Sequence, residues 1–284
     1  MLARFSLRPI FAAMAVISVA LAPATPVAAE SASPQDGRKA VLTFGGEECE
    51  VVHPMAQEAP PFGVGPCPGV RPGAEVWSDT GGCTFNFMFR GYVRDELTGE
   101  LVEAGRFMGT AGHCIVDGSE QEHVWPAGTG PEARDGTDRR IGEFAYAVNS
   151  STKDFALIRL DSEVQANPAM CHFGGPTGMH DPSLSPVAPR VIQHFGQGLV
   201  FGDTVSARSG AGYLSDPNWT FAATGASFGD SGSGVEMDDG RAIGVLVAIS
   251  PLGIVITRLA PRVEDARKAL GLETLEIQTA PELD

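Results

Sequence analysis

The feature that most restricts the fold is the strict alternation of Phe85, Phe87 and Phe89 within residues 83–92. Three large apolar side chains at a period of two share one face only when the backbone is an extended strand. The same grammar recurs downstream. Thr98-Gly99 reads as a hairpin turn and residues 101–108 as the returning strand. Residues 155–160 and 242–249 are further short apolar runs. Residues 235–237, then Asp238-Asp239-Gly240, then Arg241 onward read as another hairpin. Many short strands at this spacing predict an all-β barrel or sandwich. One helix is expected near the end. Pro261 suits its first turn, Glu264 and Asp265 the positive end of its dipole, and Gly271 its C-cap.

The first 29 residues read differently. Arg4 and Arg8 form a basic start, residues 10–21 are an apolar stretch of 12, and Val27-Ala28-Ala29 offers small residues for cleavage. That reads as an export signal, too short for the ~20 residues of a spanning helix. The protein is therefore expected to be secreted and extracellular, with no membrane partner once the signal is cleaved. Residues 30–75 are rich in Pro, Gly, Glu and Ala and read as an extended arm, a linker or a short pro-segment. The strand-rich domain is expected over residues 76–272, with residues 273–284 as a tail. Apolar residues make up 43% of the chain, enough for a core. The net charge of −15 becomes −17 when the two arginines of the signal are removed. Such acidity disfavours nucleic acid, whose phosphates require clustered Lys and Arg. Five cysteines leave at least one without an intramolecular partner. No two have metal-finger spacing and the six histidines are scattered, so neither a metal nor any other cofactor is expected.

Three segments carry residue types that cleave amides. Thr110-Ala111-Gly112-His113-Cys114 offers a base. Asp154 opens the apolar run that ends at Leu160, where a half-buried acid can orient an imidazole. Asp161, at the exit of that run, is the rival acid and is the less favoured. Gly229-Asp230-Ser231-Gly232-Ser233-Gly234 surrounds a serine with glycines, which permits a sharp turn that exposes Oγ and gathers backbone N–H groups.

These segments resemble the TA(A/G)HC, D(I/F)AL(I/V) and GDSG(G/S) motifs of chymotrypsin-like serine peptidases, in that family's order. His113 precedes Asp154 by 41 residues, and Asp154 precedes Ser231 by 77. This compact spacing, with Gly112 before the histidine, is most similar to the bacterial branch that includes the streptogrisins. The resemblance covers roughly residues 75–272. It implies two antiparallel six-stranded β-barrels with a C-terminal helix, and a His113, Asp154, Ser231 triad in the cleft between them. It implies an oxyanion hole from the Gly229 and Ser231 amides. It implies a disulfide between Cys83 and Cys114, closing a loop of about 30 residues worth roughly 3 kcal/mol in the chain-entropy model. Cys171 is then left to tether the arm through Cys67 or Cys49. Asp230 matches a buried acid that needs a cation. No IVGG-like start supplies an amine here, and His194 and Arg190 both stand as candidates.

The match departs from the family on the strand lining the specificity pocket. Val247, Ala248 and Ile249 stand where Ser-Trp-Gly is usual, and Gly225 stands at the pocket base without a charge. The pocket is therefore expected to take small or medium apolar side chains, with Ser227 as the group that would instead favour Glu or Gln. The resemblance implies a monomeric serine endopeptidase acting on protein or peptide substrates. The rival is a secreted binding module on the same fold that has lost turnover.

Overall fold

The computed structural model describes residues 67–118, 121–180, 189–200 and 205–282, and the backbone of residues 40–44 and 47–51. The expected export signal and most of the arm before Cys67 lie outside the described residues. Within the arm, β1 (Ala40–Phe44) and β2 (Glu47–Val51) pair as an antiparallel hairpin.

The first lobe contains β3 (Glu75–Ser78), β4 (Gly81–Thr84), β5 (Met88–Arg94), β6 (Leu101–Thr110), β7 (Glu122–Val124), β8 (Glu132–Asp135), β9 (Arg140–Asn149) and β10 (Asp154–Leu160). The second contains β11 (Gly178–Met179), β12 (Arg190–Phe195), β13 (Ala207–Ser215), β14 (Trp219–Ala223), β15 (Gly234–Met237), β16 (Arg241–Ser250) and β17 (Gly253–Arg258). Helix α1 (Leu259–Ala269) and β18 (Thr274–Ile277) follow. The all-β expectation with one C-terminal helix therefore holds.

The expectation of two six-stranded barrels holds for one lobe. In the second lobe β16, β15, β12, β13, β14 and β17 pair in a ring that closes through β16 and β17. The first lobe is a nine-stranded sheet running β18-β5-β6-β10-β9-β8-β3-β4, with β7 beside β9, and its end strands do not pair. The reason lies in the Phe85–Phe89 stretch. Only residues 85–87 separate β4 from β5, so one bent length of chain serves both ends of the sheet. There the Asn86 amide donates to the Gly109 carbonyl and the Gly109 amide to the Phe87 carbonyl, 2.8 and 2.9 Å, in place of a full ladder.

Phe85, Phe87 and Phe89 are all fully buried, joined by Phe107, Phe144, Tyr146 and Phe155. Cys67, Val70 and Ala74 pack into the same core, so residues 67–75 belong physically to the first lobe although their composition resembles the arm. Ile192, Val235, Met237, Ile243, Leu246, Ile254 and Ile256 fill the second lobe. Gly271 has φ +65° just beyond the end of α1, as a C-terminal cap needs. Glu264 and Asp265 fall in the middle of α1 rather than in its first turn. Glu264 pairs with Arg267 at 2.8 Å, and Asp265 with Lys153 at 3.1 Å.

One buried group gives a stability prediction. Glu236, on β15, is fully buried, with its carboxyl against Gly175. Burial holds its carboxyl well above the usual carboxylate range; the Gln193 side chain opposes this and Glu282 adds to it. Such a group keeps its proton while the unfolded chain releases one above about pH 4.3, so its contribution to stability declines as pH rises past that point. Glu236→Gln keeps the shape without the titration. Melting temperatures at pH 4 and pH 7.5 should show the variant gaining on the native chain at the higher pH; an unchanged difference would refute the assignment.

Candidate active site

The histidine is delivered by backbone geometry. β6 ends at Thr110 and the chain turns through a 3-10 turn at Gly112–Cys114. A Cβ on Gly112 would collide with the Val148 carbonyl, so only glycine lets this turn approach β9. Asp154, the first residue of β10, lies directly opposite. Its Oδ1 accepts from the Gly112 and His113 amides at 2.6 and 3.1 Å, and its Oδ2 lies 2.7 Å from His113 Nδ1. The acid is nearly buried and the imidazole about a third exposed. The carboxylate therefore fixes Nδ1 as the protonated nitrogen and leaves Nε2 as the acceptor. Asp161, the rival acid, instead sits 3.4 Å from Arg140 at the surface.

Ser231 comes from the second lobe, on the loop that enters β15. Gly229 and Gly232 adopt φ +101° and +93°, which coils the loop tightly. The loop is docked against the first lobe. The Thr84 amide donates to the Ser231 carbonyl at 2.8 Å and the Thr84 hydroxyl to the Gly229 carbonyl at 2.7 Å. A Cβ on Gly232 would strike Thr110 and the Thr84 carbonyl. The serine loop is thus packed on the residues that immediately precede His113. Among the described residues, neither the Gly229 nor the Ser231 amide donates a hydrogen bond within the protein.

Asp230 takes a different cation from either one expected. The Arg208 guanidinium on β13 binds it through two nitrogens, at 2.6 and 2.5 Å, with the two side chains 6% and 0% exposed. The Gly198 and Ser227 amides add bonds of 2.8 and 2.7 Å. Burial alone would raise the Asp230 carboxyl; the Arg208 and amide bonds outweigh it and hold the carboxyl below the usual range. Arg190 lies on the surface, 3.9 Å from Asp238. His194 is fully buried, and burial together with the nearby Arg208 charge pushes it down to about 3, so it is neutral near pH 7. Arg208 sits across from His194 in the β12–β13 pair, on the inward face. A charged residue at an inward position of a strand was the available signal.

The pocket residues divide. Val247 is partly buried, and Ala248 and Ile249 are exposed on β16. The Gly225 carbonyl faces Arg208 Nη1 at 3.4 Å. The Ser227 hydroxyl accepts the Val200 amide at 3.2 Å and is buried. Disulfides join Cys83 to Cys114 and Cys67 to Cys171. Cys83, His113 and Cys114 are the one grouping of metal-type donors among the described residues, and both thiols are committed to the disulfide.

Solved structures with a similar chain path include three serine proteases. One is a glutamic acid-specific serine protease that uses a histidine triad in substrate binding, at 15% identity and TM-score 0.49, covering 74% of this chain and all of that one. Protease A of Thermobifida fusca matches at 16% identity and TM-score 0.46, over 74% of this chain and 98% of its own. A serine endoprotease of Yersinia pestis matches at 15% and 0.41, over 65% and 62%. No protein-family model and no curated protein matches the sequence.

Proposed function

We propose that the chain is a secreted serine endopeptidase that cleaves peptide bonds by acyl transfer. The observation carrying this reading is the His113–Asp154 pair, its acid fixed by two further amides, beside a glycine-coiled loop bearing Ser231. In this reading Ser231 Oγ attacks the peptide carbonyl and passes its proton to His113 Nε2. The Gly229 and Ser231 amides hold the oxyanion. His113 then gives the proton to the leaving amine, and the acyl-enzyme forms as the C–N bond breaks. Water repeats the cycle, with its proton taken by His113 and the acyl C–O bond to Ser231 broken. Asp154 orients the imidazole and stabilises its charged form. The missing family serine at Val247 would remove one bond to Asp154, but three donors already satisfy that carboxylate.

The specificity expected follows from the pocket. Gly225 brings no counter-charge, Arg208 beside its carbonyl is neutralised by Asp230, and Val247, Ala248 and Ile249 are apolar. A buried substrate cation would be strongly disfavoured, while apolar pockets discriminate gradually, by about 1–3 kcal/mol per methylene. A peptide-library digest should show cleavage mainly after small or medium apolar residues. Dominant cleavage after Arg, Lys or Glu would overturn this view of the pocket. The rival reading, a module without turnover, predicts no cleavage at all.

A further inference from the structure

Helix α1 ties the lobe that carries Ser231 to the turn that carries Asp154. It leaves β17 of the second lobe without a linker, Leu259 following Arg258 directly, yet Leu259, Val263 and Ala266 pack into the core of the first lobe. Arg262 is buried on the same helix, its side chain 4% exposed. Its Nη1 donates to the Thr152 carbonyl at 2.9 Å, and its Nη2 lies 3.3 Å from Asp265 Oδ2. The same Asp265 oxygen lies 3.1 Å from Lys153 Nζ. Thr152 and Lys153 are the two residues that immediately precede Asp154.

The turn itself is closed by the Ser150 amide, which donates to the Lys153 carbonyl at 2.7 Å, and it joins β9 to β10. The three donors on the Asp154 carboxylate come from Gly112 and His113. They belong to the segment that the carboxylate orients. Arg262 and Asp265 hold the acid's turn from outside that segment, through a helix continuous with the second lobe. Burying an ion pair often returns little stability, and its best-attested use is to fix one register. The register fixed here is that of the turn before Asp154.

We infer that Arg262 is a positioning residue for the acid of the triad: it holds the turn before β10 against α1 and so keeps the Asp154 carboxylate in place at His113 Nδ1. The inference rests on the peptidase reading and adds a residue to it. Kinetics on an internally quenched peptide with Ala before the scissile bond test it. A shift of about 1 Å made far from the chemistry can cost about 10²-fold, so Arg262→Met should lower kcat by about 30-fold or more and leave KM within about 3-fold. Arg262→Lys keeps a cation beside the Thr152 carbonyl without the fork and should return kcat to within about 5-fold of native. Arg267→Met, on the same helix but bonded to Glu264 and the Leu272 carbonyl, should keep the native kcat. A second readout needs no turnover. By proton NMR the His113 Nδ1–H, bonded to Asp154, should resonate far downfield in the native protein and shift or vanish in Arg262→Met. A folded Arg262→Met protein with kcat within about 3-fold of native, or with an unchanged resonance, would overturn the inference. So would an equal loss of kcat in Arg267→Met. Should Arg262→Met not fold, Lys153→Met decides, because that side chain is 35% exposed. There a kcat lowered about 5-fold or more supports the inference and an unchanged kcat overturns it. A native protein that cleaves nothing defeats the peptidase reading, and the resonance still decides on Arg262.

Discussion

Ser231→Ala should lower peptide hydrolysis by about 10⁴- to 10⁶-fold while leaving the melting temperature nearly unchanged. The magnitude is that of removing one member of a group of residues that act as a unit. In the proposed mechanism Ser231 supplies the attacking oxygen, and its side chain is incidental to packing, because the loop is held by the Thr84 bonds to the Ser231 and Gly229 carbonyls. His113→Ala should give a loss of the same order, and the double variant little more than either single one. Casein digestion followed by a thermal scan measures both quantities. Activity within 10-fold of the native chain in either single variant would contradict the assigned roles. So would losses that multiply in the double.

Arg208→Met should have the largest effect on stability, about 3–5 kcal/mol. Removing one partner of a buried ion pair leaves the other charge uncompensated in a low-dielectric site. Here the charge left is the fully buried Asp230, which two amides alone would then serve. Arg208→Lys should recover part of the loss, since an ammonium restores the charge without the two-pronged fork. The pair also makes an acid prediction. A carboxyl held below its unfolded value contributes stability above about pH 4, and that contribution is lost as pH falls further. Urea unfolding at pH 7 and pH 3 measures this: the gap between native and Arg208→Met should narrow at pH 3. A loss below about 1 kcal/mol at pH 7 would show that the pair does not anchor the loop.

The legible and illegible parts of this molecule separate by range. The alternation of Phe85, Phe87 and Phe89 announces a buried face because it is local, but only Phe89 lies in a strand, Phe85 and Phe87 falling in the bend between β4 and β5; Gly271 announces the helix end because a cap needs φ above zero. His113 and Asp154 could be paired from the sequence through the resemblance of their segments to the family's motifs, with Asp154 preferred to Asp161 because it opens its apolar run. Arg208 could not be paired with Asp230 that way. It stands in Ser206-Ala207-Arg208-Ser209, a segment with no motif, and its role exists only once β13 pairs with β12 and turns its inward face toward the serine loop. Barrel closure was hidden for the same reason. Whether a sheet closes depends on which distant strands meet, and in the first lobe a bent stretch joining β4 to β5 replaces the last ladder. The helix acids were misassigned because the true start of α1, Leu259, precedes the Pro261 signal by two residues and moves Glu264 and Asp265 into the middle of the helix.

The central claim is that His113 activates Ser231 as a nucleophile. Incubating the purified mature protein with a fluorophosphonate, then mapping the adduct by peptide mass spectrometry, tests it directly. The account predicts one phosphonylated residue, Ser231, with labelling absent in Ser231→Ala and greatly slowed in His113→Ala. A folded native protein that takes up no label, or carries it on a different residue, would contradict it.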